Sequence, residues 1–270
     1  MHHGQWRIVI PQCAHRRNVA EANGQVERLA DLPRFYNGQL LAVEEVGRRG
    51  FRLMIHFNHP DEFLRKGPAG EYLRNPNGSL KWHQDTWQAL QGLTSRGWMH
   101  LENQAPIIKG INDDPDALRV MQRALYRAGV GNHYFFCGRD IVAYRAFNVP
   151  IETAWQILNE SQKGLSGVET HARLSITHYK GKTEVAAVTN EPLPGVPGTE
   201  NGVLIFKILR NALDAPDRGK VCIVARNPGA IWFDDYEDRV IYDEAGLFDY
   251  TRVDKKRIEI EEVPEVAVAS

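Results

Sequence analysis

Four short polar runs carry the residue types that could do chemistry. The densest is His56-Phe57-Asn58-His59-Pro60-Asp61-Glu62, with two imidazoles that a turn at Pro60 could bring together. Such a pair could begin a metal site, contact a cofactor, or simply hydrogen-bond the turn; no third metal ligand stands out nearby. If an ion were bound there, a metal-dependent α/β hydrolase using His56 and His59 would follow. Asn103-Gln104-Ala105-Pro106 sets two amides side by side, each with donor and acceptor, which suits ribose, a purine edge or a peptide backbone. Gly138-Arg139-Asp140 offers a charged pair after an apolar segment. Ser175-Ile176-Thr177-His178-Tyr179-Lys180-Gly181-Lys182 ends in a lysine beyond a glycine. A lysine that condenses with a carbonyl must be partly desolvated so that its amine is sometimes neutral, whereas most lysines in Lys-Gly-Lys turns are solvated.

The elements that must position these runs alternate along the chain. A helical pattern from Asn37 places Leu40, Leu41, Val43 and Val46 on one face and stops at Gly50, and Phe51 to Phe57 reads as a strand. The unit recurs: a helix from Asp85 to Arg96 precedes a strand from Trp98 to Gln104, and a helix from Pro115 to Ala128 precedes a strand from His133 to Cys137. A further helix opens at Pro150, with a strand over 171–176. Asn112 and Asp113, just before Pro115, read as caps of the helix they precede. Strands joined by amphipathic helices imply parallel pairing and an α/β fold. In such folds ligands gather beyond the carboxyl ends of the strands, where the four polar runs fall. Past residue 190 the texture changes to prolines, glycines and separate strands. The expected organisation is an N-terminal segment over 1–50, a core over 51–189, a β-rich C-terminal region over 190–260 and a tail over 261–270.

Composition narrows the class. The 33 Lys and Arg nearly balance the 34 Asp and Glu, giving a formal charge of -1, which removes the general electrostatic case for nucleic acid as a partner. No apolar run approaches the roughly 20 residues of a spanning helix, so no membrane partner is expected and the cytoplasm is the expected compartment. Cys13, Cys137 and Cys222 are too far apart to build a metal cluster from one segment.

Taken in order, six blocks form a pattern over residues 56–185. They are His56 to Pro60, Asn103 to Pro106 with Gly110-Ile111-Asn112-Asp113, Tyr134 to Asp140, Phe147 to Ile151, Leu165-Ser166-Gly167, and Gly181-Lys182. This series resembles the lysine 2,3-aminomutase family of radical S-adenosylmethionine enzymes, with a looser likeness around Ala230 to Asp235. The resemblance implies a partial parallel (β/α) barrel with a small β-rich C-terminal appendage. It also implies an isomerase that moves an amino group between neighbouring carbons of a small amino acid. The cofactors implied are S-adenosylmethionine, a [4Fe–4S] cluster and pyridoxal phosphate. On the family pattern His56 and Gln104 lie beside S-adenosylmethionine, with Asn58 and His59 in the same cofactor-facing turn, and Lys182 is the catalytic lysine that holds pyridoxal phosphate. Arg139, Asp140 and Ser175 fall at substrate positions; an arginine where lysine-specific members carry a carboxylate suits an anionic amino acid.

The chain departs from the family in one large respect. The Cys-x3-Cys-x2-Cys run that ligates the cluster is absent, and Cys13-Ala14-His15-Arg16-Arg17 supplies a single thiolate. The match also starts midway through the family's barrel. The expectation is therefore the C-terminal portion of an aminomutase-like enzyme, inactive alone, whose cluster would come from a missing N-terminal half or a partner subunit; a homo-oligomer is also open. The alternative to an enzyme is a module that binds a nucleotide or an amino acid without turning it over.

Overall fold

Proline and aspartate set where the second helix begins: Asp114 accepts the amides of Asp116 and Ala117, and Pro115, which has no amide hydrogen to satisfy, fills the first helical position. The computed structural model describes residues 51–249 except 96, 98, 179 and 211–216, together with a two-residue ladder at 35–36 and 39–40. Its order is β1 (Phe51–Ile55), α1 (Gln84–Thr94), β2 (Met99–Pro106), α2 (Pro115–Arg127), β3 (Val130–Phe136), α3 (Ile151–Gln162) and β4 (Arg173–His178). Four more strands follow: β5 (Gly181–Val188), β6 (Val203–Arg210), β7 (Val221–Ala225) and β8 (Val240–Asp243).

All eight form one mixed sheet in sequential order. The first four strands run parallel, β2, β3 and β4 each reached through a helix, and the last four form an antiparallel meander. The parallel half is the α/β arrangement that the strand–helix alternation predicts. The alternation ends at β4. There the chain reverses directly into β5, with Gly181 at φ 132, a conformation that L side chains rarely adopt. The strands beyond residue 203 extend this sheet.

One face of the sheet packs on the helices. Leu53, Leu101, Ala105, Phe135, Leu174, Ile176, Val185 and Phe206 are buried in a single cluster with Leu118, Met121 and Leu125 of α2 and Ile151, Ala154 and Leu158 of α3. Each of the Leu, Ile, Val, Met and Phe side chains among them contributes about 1.5–3 kcal/mol of apolar burial. A buried ion pair locks the two halves together: Glu152, in the first turn of α3, accepts from Nε of Arg226 at 2.8 Å and from the Asn227 amide at 2.8 Å. Among the described residues no helix is long and apolar enough to cross a membrane.

Two local expectations fail. Gln39–Leu40 is extended and pairs with Phe35–Tyr36, so the helix expected from Asn37 does not begin there; the rest of that segment lies outside the described residues, as do Cys13 and the tail. Neither Asn112 nor Asp113 caps α2: Asp114 performs that role, Asp113 accepts the Gly110 amide, and Asn112 is drawn inward.

Candidate functional site

The turn after β1 is held from several directions. Asn103 is 3% exposed and treats Phe57 as a ladder partner, accepting its amide at 2.8 Å and donating to its carbonyl at 3.1 Å. The buried Asn112 donates to the carbonyls of Asn58 and Pro106, both at 2.8 Å, which fastens the ends of β1 and β2 to each other. Glu62 accepts the amides of Asn58 and His59 at 2.9 and 3.1 Å. Burial pushes its carboxyl above the ordinary range despite those bonds. His59 spends its Nδ1 on the Asp61 amide at 3.2 Å, so it caps the short 3-10 turn Pro60–Glu62.

His56, by contrast, meets Gln104: the two Nε2 atoms are 3.0 Å apart. Burial lowers the His56 pKa, favouring the neutral ring that can accept from the Gln104 amide. With Nε2 accepting, the imidazole proton sits on Nδ1. Gln104 is 7% exposed and its Oε1 has no hydrogen-bond partner; the same is true of the buried Asn58 Oδ1 and Ser175 Oγ.

A register shift between Asn103 and Gln104 gives β3 an extra residue, so that Gln104 pairs with Tyr134. The bulge turns two consecutive β3 side chains to the face away from the helices. His133 reaches Glu102, two residues below Gln104, at 2.9 Å. Tyr134 and Phe136 form a shelf on which the Lys182 ammonium rests, 4.3 and 4.4 Å from the ring centroids. Lys182 pairs in register with Thr177, and so lies in β5 and not in a turn. Burial disfavours ionised Glu102, but the His133 hydrogen bond and the charges of His133, Arg52 and His100 outweigh it and hold the carboxyl below its ordinary range.

His56, Gln104 and Lys182 thus share the polar face at the strand ends, with Tyr134 between the last two. Ser175, register partner of Phe136, is on the same face. Arg139 and Asp140 are placed differently. Arg139 is exposed in the segment after β3, while Asp140 takes a bidentate hydrogen bond from Arg145 at 2.5 and 2.8 Å, which lowers its pKa. Neither bonds His56 or Gln104. A Cβ added at Gly138, immediately before them, would run into the Asn148 side-chain amide and force it to move.

No group of three His, Cys, Asp or Glu side chains suited to a metal ion occurs among the described residues. Glu102 was not singled out from sequence, and Tyr134 and Phe136 were read only as part of a strand and of one matching block, not as a seat for Lys182; the alternation of Tyr134 with Phe136 and of Glu102 with Gln104 was the signal available.

Fold and strand-end geometry together define an α/β protein whose parallel half carries a polar face at its strand ends. No family model matches the chain. A protein of Aquifex aeolicus (strain VF5) named "Putative L-lysine 2,3-aminomutase" is 31% identical over 196 residues, 73% of this chain and 44% of the relative. A second Aquifex aeolicus match of the same name is 29% identical over 151 residues, 55% of this chain and 35% of that protein. The chain belongs to a lysine 2,3-aminomutase-like family. It spans less than half the length of either relative.

Proposed function

We propose that this chain is the part of a radical S-adenosylmethionine aminomutase-like isomerase that holds the nucleoside and the amino-acid substrate. The observation that carries the reading is the shared face: Gln104 bonds His56 and leaves Oε1 buried and unpartnered, while Lys182 sits on Tyr134, the register neighbour of Gln104. In this reading residues 51–189 are an arc of a (β/α) barrel and residues 190–260 its β-rich extension.

The residues fit two of the family's three cofactors. S-Adenosylmethionine carries hydroxyl and amine donors of the kind Gln104 Oε1 and Asn58 Oδ1 lack, beside the Nδ1–H of neutral His56. His59 supports it only through the backbone, by capping the turn. Lys182 and the Ser175 hydroxyl suit pyridoxal phosphate, which when bound supplies an electron-withdrawing carbonyl for the migrating amino group. The aromatic shelf fixes the height of the Lys182 amine above β3, a cation–π contact worth about 0.5–2 kcal/mol. Arg139 is exposed and can swing toward an anionic substrate, but Asp140 is neutralised by Arg145.

The described residues do not fit the iron–sulfur cluster. Cys137 and Cys222 are buried, and burial raises both thiols, Cys137 to about 12, so neither is readily a thiolate. The chain has no Cys-x3-Cys-x2-Cys run. The radical step therefore requires cysteines from protein outside these 270 residues.

Calorimetry with S-adenosylmethionine and absorbance with pyridoxal phosphate test the reading. Gln104→Ala should weaken S-adenosylmethionine at least tenfold, and Lys182→Ala should abolish the pyridoxal phosphate band while sparing S-adenosylmethionine. Unaltered S-adenosylmethionine affinity in Gln104→Ala would end the proposal.

A further inference from the structure

A second hollow, of about 440 Å³, opens between the 65–82 loop, α1 and α2, in the size range of small-ligand pockets. The strand-end face does not line it. Its wall carries Arg65, Lys81, Arg123 and Arg127 with Trp82 and Trp87, and no carboxylate. Arg123 and Arg127 share one acidic neighbour, Glu169, at 3.8 and 3.9 Å, while Arg65 and Lys81 have no acidic partner among the described residues. The hollow is therefore positively charged although the chain as a whole is nearly neutral.

The aromatic component is equally specific. Trp82 is pinned on one side by the buried Phe63, with centroids 4.7 Å apart. On the other side it meets Trp87 at 5.3 Å and an interplanar angle of 54°. Trp87 keeps 39% of its surface exposed, an apolar ring lining a cationic cavity. A bare anion would leave the exposed Trp87 ring unused, and an uncharged aromatic would leave Arg65 and Lys81 without a counter-charge.

We infer that this cavity binds a nucleoside phosphate, its base stacked on Trp87 and its phosphates held by Lys81, Arg65, Arg123 and Arg127. Guanidinium groups bind phosphate oxygens in pairs of hydrogen bonds, and an indole stacks any base regardless of its edge. A hollow of this size, with its positive charge limited to four side chains on a nearly neutral protein, suits a mononucleotide better than a polymer. The site is independent of the strand-end site, and either can fail without the other.

The test is calorimetric titration of the full chain with ATP, set against adenosine and tripolyphosphate. ATP should bind at least tenfold more tightly than either comparator. Lys81→Glu and Arg127→Glu, both surface changes, should each weaken ATP at least tenfold; Trp87→Ala should weaken ATP but leave tripolyphosphate unchanged. Circular dichroism melting of each variant separates lost binding from lost folding. Saturating S-adenosylmethionine should not displace ATP. Displacement, tripolyphosphate binding as tightly as ATP, or ATP affinity unaltered in a folded Arg127→Glu protein would each overturn the assignment.

Discussion

The parallel half of the sheet and the antiparallel meander treat buried polar atoms differently. In the meander, the fully buried Thr199 hydroxyl donates to the Val196 carbonyl at 2.7 Å and accepts from the Leu193 amide at 3.0 Å. Asp243 receives the amides of Leu247 and Phe248, both at 2.9 Å, and Arg226 answers Glu152. Thr183 Oγ1 is the exception there. At the ends of the parallel strands, Asn58 Oδ1, Gln104 Oε1 and Ser175 Oγ are buried with no partner. Each orphan costs about 1–3 kcal/mol. Arg119 Nε and Gln122 Oε1 of α2 are orphaned as well, so among the described residues the contrast is one of number, three orphans at the strand ends against one in the meander.

The largest test of this contrast is the clamp between the halves. Arg226→Leu strands the Glu152 carboxylate, which is 2% exposed, and should destabilise by about 3–5 kcal/mol, read as a fall in melting temperature. A loss below about 1 kcal/mol would mean that the meander is not held by this pair.

Next in size is the pH response of His178, whose burial against Phe233 lowers its pKa to about 4 from 6.5, with Lys180 adding to the shift and Asp243 opposing it. The unfolded chain binds a proton at His178 below pH 6.5 while the folded chain resists until about pH 4. Stability is therefore full above pH 6.5 and falls as pH drops to 4. The expected loss is up to about 3 kcal/mol. His178→Gln should flatten that part of a denaturation-versus-pH curve.

Asn112→Ala removes bonds to the ends of both β1 and β2 and should cost about 2–3 kcal/mol in urea denaturation. The smallest effect belongs to Ser175→Ala. With no partner to lose, it should change stability by less than about 1 kcal/mol, or raise it. A loss as large as that of Asn112→Ala would show that Ser175 is structural and erase the difference between the two regions.

Much of the frame was readable in advance because its signals are local. Asp114-Pro115 marks a helix start, and β6 and β7 announce themselves as apolar runs at Val203–Arg210 and Val221–Ala225. The hairpin into β5 was hidden because Lys-Gly-Lys reads as a turn, and nothing nearby shows that Lys182 would have Thr177 as its partner. Asn112 was misassigned because an amide before a proline is an ordinary cap; its real partners are carbonyls of Asn58 and Pro106, the first of them 54 residues away.

Sequence by itself determined the residue types of the polar runs, the order of strand and helix through β4, and the absence of a cluster-binding cysteine run. Tertiary structure decided which of those residues meet. The bulge in β3, the reversal at Gly181 and the inward pull of Asn112 put Gln104, His56 and Lys182 on one face, while Asp140 was given to Arg145 and His59 to its own turn. The reason is physical: propensity and capping act within a turn or two of the chain, whereas register, and with it the face each side chain occupies, is set by pairing between strands distant in sequence.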